Sequence, residues 1–475
     1  MRQLCRRLLL VPLVALVVVV AAYWAIIRPT LQRGVETPPV HYVSAVGRHY
    51  YVDVANGSDS NPGVYGLPWQ TIQKAADTMT AGDVCHVMAG YYAERVHVST
   101  SGAPDAPIVY TTVGAVTMKG FTVRADNVII DGFEVTDADD GWYDGVGIFV
   151  EGSHCTIENN YVHFNPRGGI ELFARPGEEA RTTSCTVRNN RLYRNGQVGL
   201  EVHGRNHLVE GNEIWGTLQY HPKWINPPEW VDADGMRFFG SGHLFRSNYI
   251  HDITYADPEN ADPHIDCFQT WGPASHIVFD RNRCHNTEYQ AEREYGNAFM
   301  IEEKNAPVRS ITVTNNIVRS VAFLNVRDCE NLVVANNTYL GDLSLPPRIA
   351  IVLSNSPAAT VKNNIFYNVV DDYLYLDEAS LPGLQAGQNA VARGGGEQVR
   401  GGSVAPTDLW DIDPLFVDAA ADDFRLQLNS PCIDRGAPLG LPWDFAGHPR
   451  PRGEGFDIGA HEAQVGMLYL PPRGR

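Results

Sequence analysis

Eight short stretches of this chain share one pattern: CTIENNYV (155–162), CTVRNNRL (185–192), HLVEGNEI (207–214), HLFRSNYI (243–250), IVFDRNRC (277–284), ITVTNNIV (311–318), LVVANNTY (332–339) and ATVKNNIF (359–366). Each reads as a short alternating strand, a polar pair whose second member is Asn, and a second short strand. The second members are Asn160, Asn190, Asn212, Asn248, Asn282, Asn316, Asn337 and Asn364, spaced 21 to 36 residues apart. Units of this length cannot bury an apolar face alone and must stack. Period-2 strands with insertions of variable length between them predict an all-β chain wound as a right-handed parallel β-helix, a single-stranded solenoid. Asn suits the turn because it tolerates the left-handed conformation and hydrogen-bonds along a stack. A β-sandwich with Asn-rich hairpins is the alternative. It fits poorly, because every unit keeps the same strand–turn–strand order.

Another strand precedes each unit: GIFVE (147–151), GIELF (169–173), GLEVH (199–203), GMRFF (235–239), CFQTW (267–271), AFMIE (298–302), AFLNV (322–326) and AIVLS (350–354). Its second position is always apolar, namely Ile148, Ile170, Leu200, Met236, Phe268, Phe299, Phe323 and Ile351. That position faces the core, so the third and fifth face out. The third reads Phe149, Glu171, Glu201, Arg237, Gln269, Met300, Leu324, Val352, and the fifth Glu151, Phe173, His203, Phe239, Trp271, Glu302, Val326, Ser354. Coils stack about 4.8 Å apart, so neighbours in each series should be neighbours in space. Polar and aromatic side chains then gather on the middle coils while the later coils are apolar, which is the layout of a substrate groove.

Long insertions flank this patch, LQYHPKWINPPEWVDAD (218–234) and ITYADPENADPHID (253–266), and are expected to wall it. The stretch ADPHIDCFQTWG (261–272) is the end of one wall running into the floor. Asp262 and His264 would reach from the loop, and Gln269 and Trp271 from the strand. The catalytic candidates are Glu171, Glu201, Arg237, His264 and Asp266, and the substrate-binding candidates His203, Phe239, Gln269, Trp271 and Glu302. Phe239 and Trp271 would stack on sugar faces. A plainer reading has Asp266 capping the start of its strand and His264 solvated.

Glu171 and Glu201 on adjacent coils should repel, leaving one protonated unless a cation intervenes. Glycosidic hydrolysis uses such a pair, one carboxyl as acid and one as base or nucleophile. The plainer reading is an exterior ladder neutralised by Arg237 and Arg167. A third option is a calcium site drawn from Asp232, Asp234, Glu201 or Asp266; Ca²⁺ is the one cofactor these residues leave open. Since Glu201 and Arg237 project outward, their substitution is expected to shift stability by no more than about 0.5 kcal/mol.

Leu8–Ile27 is a run of 20 residues without a charge or an amide, preceded by Arg2, Arg6 and Arg7 and followed by Arg28. It is long enough to span a bilayer, and the arginine bias keeps its start in the cytoplasm. VAAYWA holds no clean A-x-A cleavage site, so an uncleaved single-pass anchor in the cell membrane is expected, with secretion after cleavage as the alternative. Of the eight cysteines Cys5 precedes the run, leaving seven. An odd number without a C-x-x-C pair predicts buried free thiols rather than a disulfide framework. Cys284 falls at a core position of its strand, and a Cys155–Cys185 bridge between stacked coils stays open. The formal net charge of −18 argues against nucleic acid and would slow capture of a polyanionic sugar.

YYVDVANGSDSNPGVYGLPWQTIQKAADTMTAGDVCHVMAGYY (50–92) resembles the first coil and capping helix common in the pectate-lyase-like superfamily of bacterial right-handed β-helix proteins. DPLFVDAAADDFRLQLNSPCIDRGAP…DFAGHPRPRGEGFDIGAHE (413–462) resembles the terminal coil of many of its surface proteins. The resemblance covers roughly residues 48–462. With the apolar run and the polar tether after it, the expected organisation is a cytoplasmic stub and anchor over 1–28, a tether over 29–47, a β-helix over 48–400 and a terminal coil or cap over 401–475. The resemblance implies a polysaccharide or cell-surface glycan as partner, but no single activity, since the superfamily hosts lyases, hydrolases, epimerases, adhesins and inert stalks. Cleavage of a glycan in the central groove, by a lyase or a hydrolase, is the leading expectation. Asp262-Pro263-His264 is similar to the Asp-Pro-His signature of alginate epimerases, making a uronate C5-epimerase with His264 as base one alternative. A non-catalytic glycan-binding or envelope protein is the other.

Overall fold

The computed structural model describes residues 47–139, 141–219, 232–253, 265–286, 296–304, 307–341, 349–369, 372–393, 399–403 and 405–463. Thirty-six strands join by parallel pairing into one continuous sheet that coils on itself, a parallel β-helix. Each central coil contributes three strands. In the second of the repeats these are Gly168–Leu172, Thr186–Arg188 and Arg191–Tyr193. The expected interior column forms: Ile148, Ile170, Leu200, Met236, Phe268 and Phe299 sit in register and are fully buried. Phe268 and Phe299 stack face to face at 4.7 Å, so the column is filled by aromatic as well as aliphatic contact.

The column then departs from the expected register. Phe299 pairs with Leu324 rather than Phe323, and Leu324 with Ile351. Two apolar residues in succession make AFLNV ambiguous, and the alternation that follows them decides it. Leu324 and Val326 turn inward and Asn325 and Arg327 outward. The outer face of that coil is therefore polar where an apolar one was expected.

The polar pair of each repeat divides two tasks. Its first member takes the left-handed conformation, as at Asn159 (φ 57°), Asn189 (φ 56°) and Ser247 (φ 55°). Its second member is buried and bonds along the stack. Asn212 Oδ1 accepts the backbone N–H and the side-chain amide of Asn190, both at 3.0 Å. Its own amide donates to Asn248 Oδ1 at 3.0 Å and to the Val187 carbonyl at 2.9 Å. The ladder runs past the eight repeats to Asn389 and ends on Asp408. Asn212→Ala strands the two donors of Asn190 in the core, each costing about 1–3 kcal/mol when unpaired. Urea unfolding should show a loss of about 2–3 kcal/mol, and a loss under about 0.5 kcal/mol would make the ladder incidental.

Two histidines form a second buried ladder. His207 Nδ1 accepts the N–H of Cys185 at 3.0 Å, and His243 Nδ1 accepts that of His207 at 3.2 Å. The ring proton of each therefore sits on Nε2, which His243 donates to the Phe239 carbonyl at 2.7 Å. Burial pushes His207 down to about 4 and His243 down to about 3, so both stay neutral in the fold. Unfolded imidazoles take up protons below about pH 6.5, so the unfolded state binds more of them on acidification. Stability should fall as pH drops through about 6.5 and continue to fall toward the folded values, each ring adding about 1.4 kcal/mol per pH unit. Urea titrations at a series of pH values check this: His243→Gln should flatten the slope, and an unchanged slope would place the acid sensitivity elsewhere.

At the start of the helix, Ile72–Ala76 is a short helix whose Ile72, Ala75 and Ala76 cover the open end of the core. Thr71 caps it, and Glu94 accepts the N–H groups of Ile72 and Gln73. At the other end the helical pairing continues to Leu409–Trp410, beyond residue 400. The segment after it is not a further coil. It doubles back as an antiparallel pair, Phe416–Asp418 with Asp423–Leu426, and lays Phe416, Phe424 and Ile458 on the outward apolar residues Ile317, Leu340 and Ile365. A buried Arg450–Glu462 pair at 2.6 Å locks this segment.

Cys155 and Cys185 are buried free thiols, as are Cys85, Cys329 and Cys432. The expectation of free thiols fails for Cys267 and Cys284, which form a disulfide. Cys284 does hold its core position beside Ile250. Cys267 lies in the bend just before the first strand of its coil and Cys284 in the third strand, both buried, across a separation of 17 residues that spacing rules do not single out. No helix among the described residues is long and apolar enough to cross a membrane, and Leu8–Ile27 lies outside them.

Candidate active site

The outward third positions stack as expected over the central coils. Phe149, Glu171, Glu201, Arg237, Gln269 and Met300 follow one another in parallel register. Beside them runs a row of rings. Phe173 meets His203 edge-on at 6.0 Å, His203 stacks on Phe239 at 4.6 Å, and Phe239 meets Trp271 at 4.9 Å. Tyr143, which no pattern in the sequence marks, closes the start of both rows against Phe149 and Phe173 at 4.8 and 5.6 Å.

Glu171 and Glu201 are directly paired across adjacent coils, and their environments split them. Burial, then the charge of Glu201, pushes the Glu171 carboxyl well above the usual range, against a weaker pull from Arg237. Burial also pushes Glu201 up, but His203 and Arg237 outweigh it and hold this carboxyl below the usual range. His203 Nε2 donates to Glu201 Oε1 at 2.8 Å, and Arg237 Nη1 lies 3.8 Å from Glu201 Oε2. The two carboxyls are thus pushed in opposite directions, as an acid and its partner base or nucleophile require.

Arg237 is held by three carboxylates. Nε donates to Asp234 Oδ2 at 2.8 Å, Nη2 lies 3.7 Å from Asp232 Oδ2, and Glu201 takes Nη1. Its guanidinium also lies 5.4 Å from the centre of the Trp271 ring. Burial disfavours the charge, yet the three carboxylates overcome it and hold the guanidinium firmly protonated. The side chain is only 10% exposed, which corrects the expectation of a solvent-facing arginine.

The other candidates are placed as follows. Asp266 is 1% exposed and accepts the backbone N–H and side-chain amide of Asn297, both at 3.0 Å, while its own N–H donates to Asp234 at 3.2 Å. Asp234, Asp266 and Asn297 thus form a further inter-coil ladder at the strand starts, the capping role the plainer reading gave Asp266. Phe239 is 5% exposed, and its ring lies between His203 and Trp271, so it supports His203 rather than offering a face to a sugar. Gln269 is 2% exposed, directly above Arg237 in the row. Glu302 is buried and pairs with Lys304 at 2.6 Å. His264 and Asp262 lie outside the described residues, as do the central parts of both wall loops. Sequence reasoning missed Asn325 and Arg327, which the register shift brings to the outer face in line with Met300 and Glu302.

The calcium option does not fit this geometry. The carboxylates of Asp232, Asp234 and Glu201 converge on Arg237, whose guanidinium stands where a cation would. Among the described residues the set with metal-ligand spacing is Glu171, Glu201 and His203, whose ligand atoms lie within 4.8 Å of one another. Two carboxylates and an imidazole suit a transition ion better than calcium. In the same trio His203 Nε2 lies 2.8 Å from Glu201 Oε1.

Comparison with known proteins agrees with this architecture. The family profile described as "Right handed beta helix region" matches residues 114–214 and 180–391, together more than half of the chain. No curated protein matches the sequence. Among solved structures, that of pectate lyase Pel9A is 19% identical, covers 88% of this chain and 98% of its own, and superposes with a TM-score of 0.55. XylC in complex with xylose is 13% identical over 87% of this chain and 99% of its own, with a TM-score of 0.50. At these identities the likeness is one of fold.

Proposed function

This chain belongs to the right-handed β-helix family, and from that footing we propose that it is a carbohydrate-active enzyme that cleaves glycosidic bonds in the groove over its central coils. The reading rests on one observation, the register-paired carboxyls of Glu171 and Glu201, of which Glu201 alone is bonded by His203 and faced by Arg237. Glu171 donates its proton to the leaving oxygen. Glu201, kept ionised by His203 and Arg237, attacks the anomeric carbon, and water then hydrolyses the glycosyl-enzyme with Glu171 as base. Their oxygens lie within 4.8 Å, which suits the close spacing of about 5 Å used by retaining enzymes, so net retention of configuration is expected. That Pel9A is a pectate lyase and XylC holds xylose adds support for a glycan partner. Held by Leu8–Ile27, the β-helix would work outside the cytoplasm.

An oligosaccharide panel assayed for new reducing ends, and for the ultraviolet absorbance of unsaturated products, tests the proposal. New ends without absorbance are the expected result. Absorbance would point instead to elimination, and binding without turnover to a glycan-binding module.

A further inference from the structure

The cleavage reading leaves the sugar open, and the surroundings of Arg237 narrow it. A groove that recognises uronic acids needs a cation with donors free for the sugar carboxylate, ideally a guanidinium forming a two-pronged pair. In the row that runs Glu171, Glu201, Arg237, Gln269, the cation is Arg237. Its donors are turned toward its own chain. Nε bonds Asp234 at 2.8 Å, Nη1 and Nη2 lie 3.8 and 3.7 Å from Glu201 and Asp232, and the guanidinium lies 5.4 Å from the centre of the Trp271 ring. Asp234 itself is fully buried, so it cannot turn to solvent to release the guanidinium.

A sugar carboxylate entering here would meet one positive charge already faced by the carboxyls of Glu201, Asp232 and Asp234. The flanking carboxylates of Glu201 and Asp232 repel it as the guanidinium attracts it, so little net attraction remains. Hydroxyls meet no such barrier. Glu201 and Asp232 keep side chains 21% and 27% exposed and can accept from sugar O–H groups. The formal net charge of −18 adds a long-range field of the same sign.

We infer that the groove takes an uncharged glycan and rejects uronides, with Arg237 serving as an internal counterion that positions Glu201. This rests on the cleavage reading for where the sugar lies. The test uses the full-length protein and matched oligosaccharides: neutral β-linked xylo- and galacto-oligomers, galacturonic acid oligomers of equal length, and glucosamine oligomers. Reducing-end release and calorimetric binding are measured on the same samples. The neutral series should exceed the uronides in kcat/KM by about 100-fold or more. Added salt should narrow the gap by screening the repulsion. Asp232→Asn, which removes one competing carboxylate, should narrow it further.

Preference for galacturonic acid oligomers would overturn the inference while leaving cleavage intact. Neutral oligomers that bind but are not cut would overturn the cleavage reading and support the inference. Binding of none of the three series would overturn both.

Discussion

Glu201→Gln should lower kcat/KM by about 10³-fold or more, equivalent to about 4 kcal/mol of transition-state stabilisation, with stability kept within about 1 kcal/mol. Gln keeps the acceptor for His203 and the shape of the side chain, and Arg237 retains Asp234 and Asp232 as partners. What is lost is the negative charge beside the anomeric carbon. Glu171→Gln should cost a similar factor for the opposite reason, since Gln has the shape of the protonated carboxyl but no proton to give. The parent's pH profile should be bell-shaped, its acid limb below the usual carboxylate range and its alkaline limb above it. Both limbs belong to the coupled pair rather than to either residue alone. A carboxyl whose folded value is raised stabilises the protein below its unfolded value, and that contribution is lost as pH rises through the folded one. Glu171→Gln should therefore remove this loss and flatten the stability curve above the ordinary carboxylate range. If both variants turn over glycans like the parent, the site lies elsewhere on the molecule.

The residues that announced the fold are those whose chemistry is local and repeated. Asn at one turn position can serve every coil in the same way, so the Asn160-to-Asn364 series showed both the period and the ladder. Alternation then fixed which side chains face inward, except where Phe323 and Leu324 offered two apolar candidates in a row. The juxtaposition of Glu171 with Glu201, and of His203 with Phe239, followed from register alone. Contacts made around or along one coil did not. Cys267 meets Cys284 from the bend before the first strand of a coil to its third strand, and Arg237 bonds Asp234 three residues back in its own strand. Spacing marked Asp232 and Asp234 only as generic oxygen donors and could not show that an arginine already occupied their centre. The return of the chain after Trp410 was hidden for a related reason: its apolar residues alternate as another coil's would, yet they cover the outer face of an existing sheet.

Arg237→Met separates the two roles an arginine can have in such a groove. From strand alternation it counts as a surface change, but burial makes it otherwise. Its loss leaves Asp234, whose side chain is fully buried, without its guanidinium, and leaves Asp232 and Glu201 facing each other with no intervening charge. Breaking one side of a buried pair costs about 3–5 kcal/mol, so urea unfolding should show a loss of that size. Arg237→Lys should recover part of it, because an ammonium restores the charge but not the fork that reaches three carboxylates. The sharper check is the double variant Arg237→Met with Asp234→Asn. Asn keeps an oxygen for the N–H of Asp266 and carries no charge, so it should restore most of the stability lost. Activity should stay low in the double variant, because Glu201 has lost the cation that helps to keep it ionised. A free, substrate-facing arginine would behave differently: Arg237→Met would weaken glycan binding while leaving the unfolding midpoint unchanged, and Asp234→Asn would restore nothing.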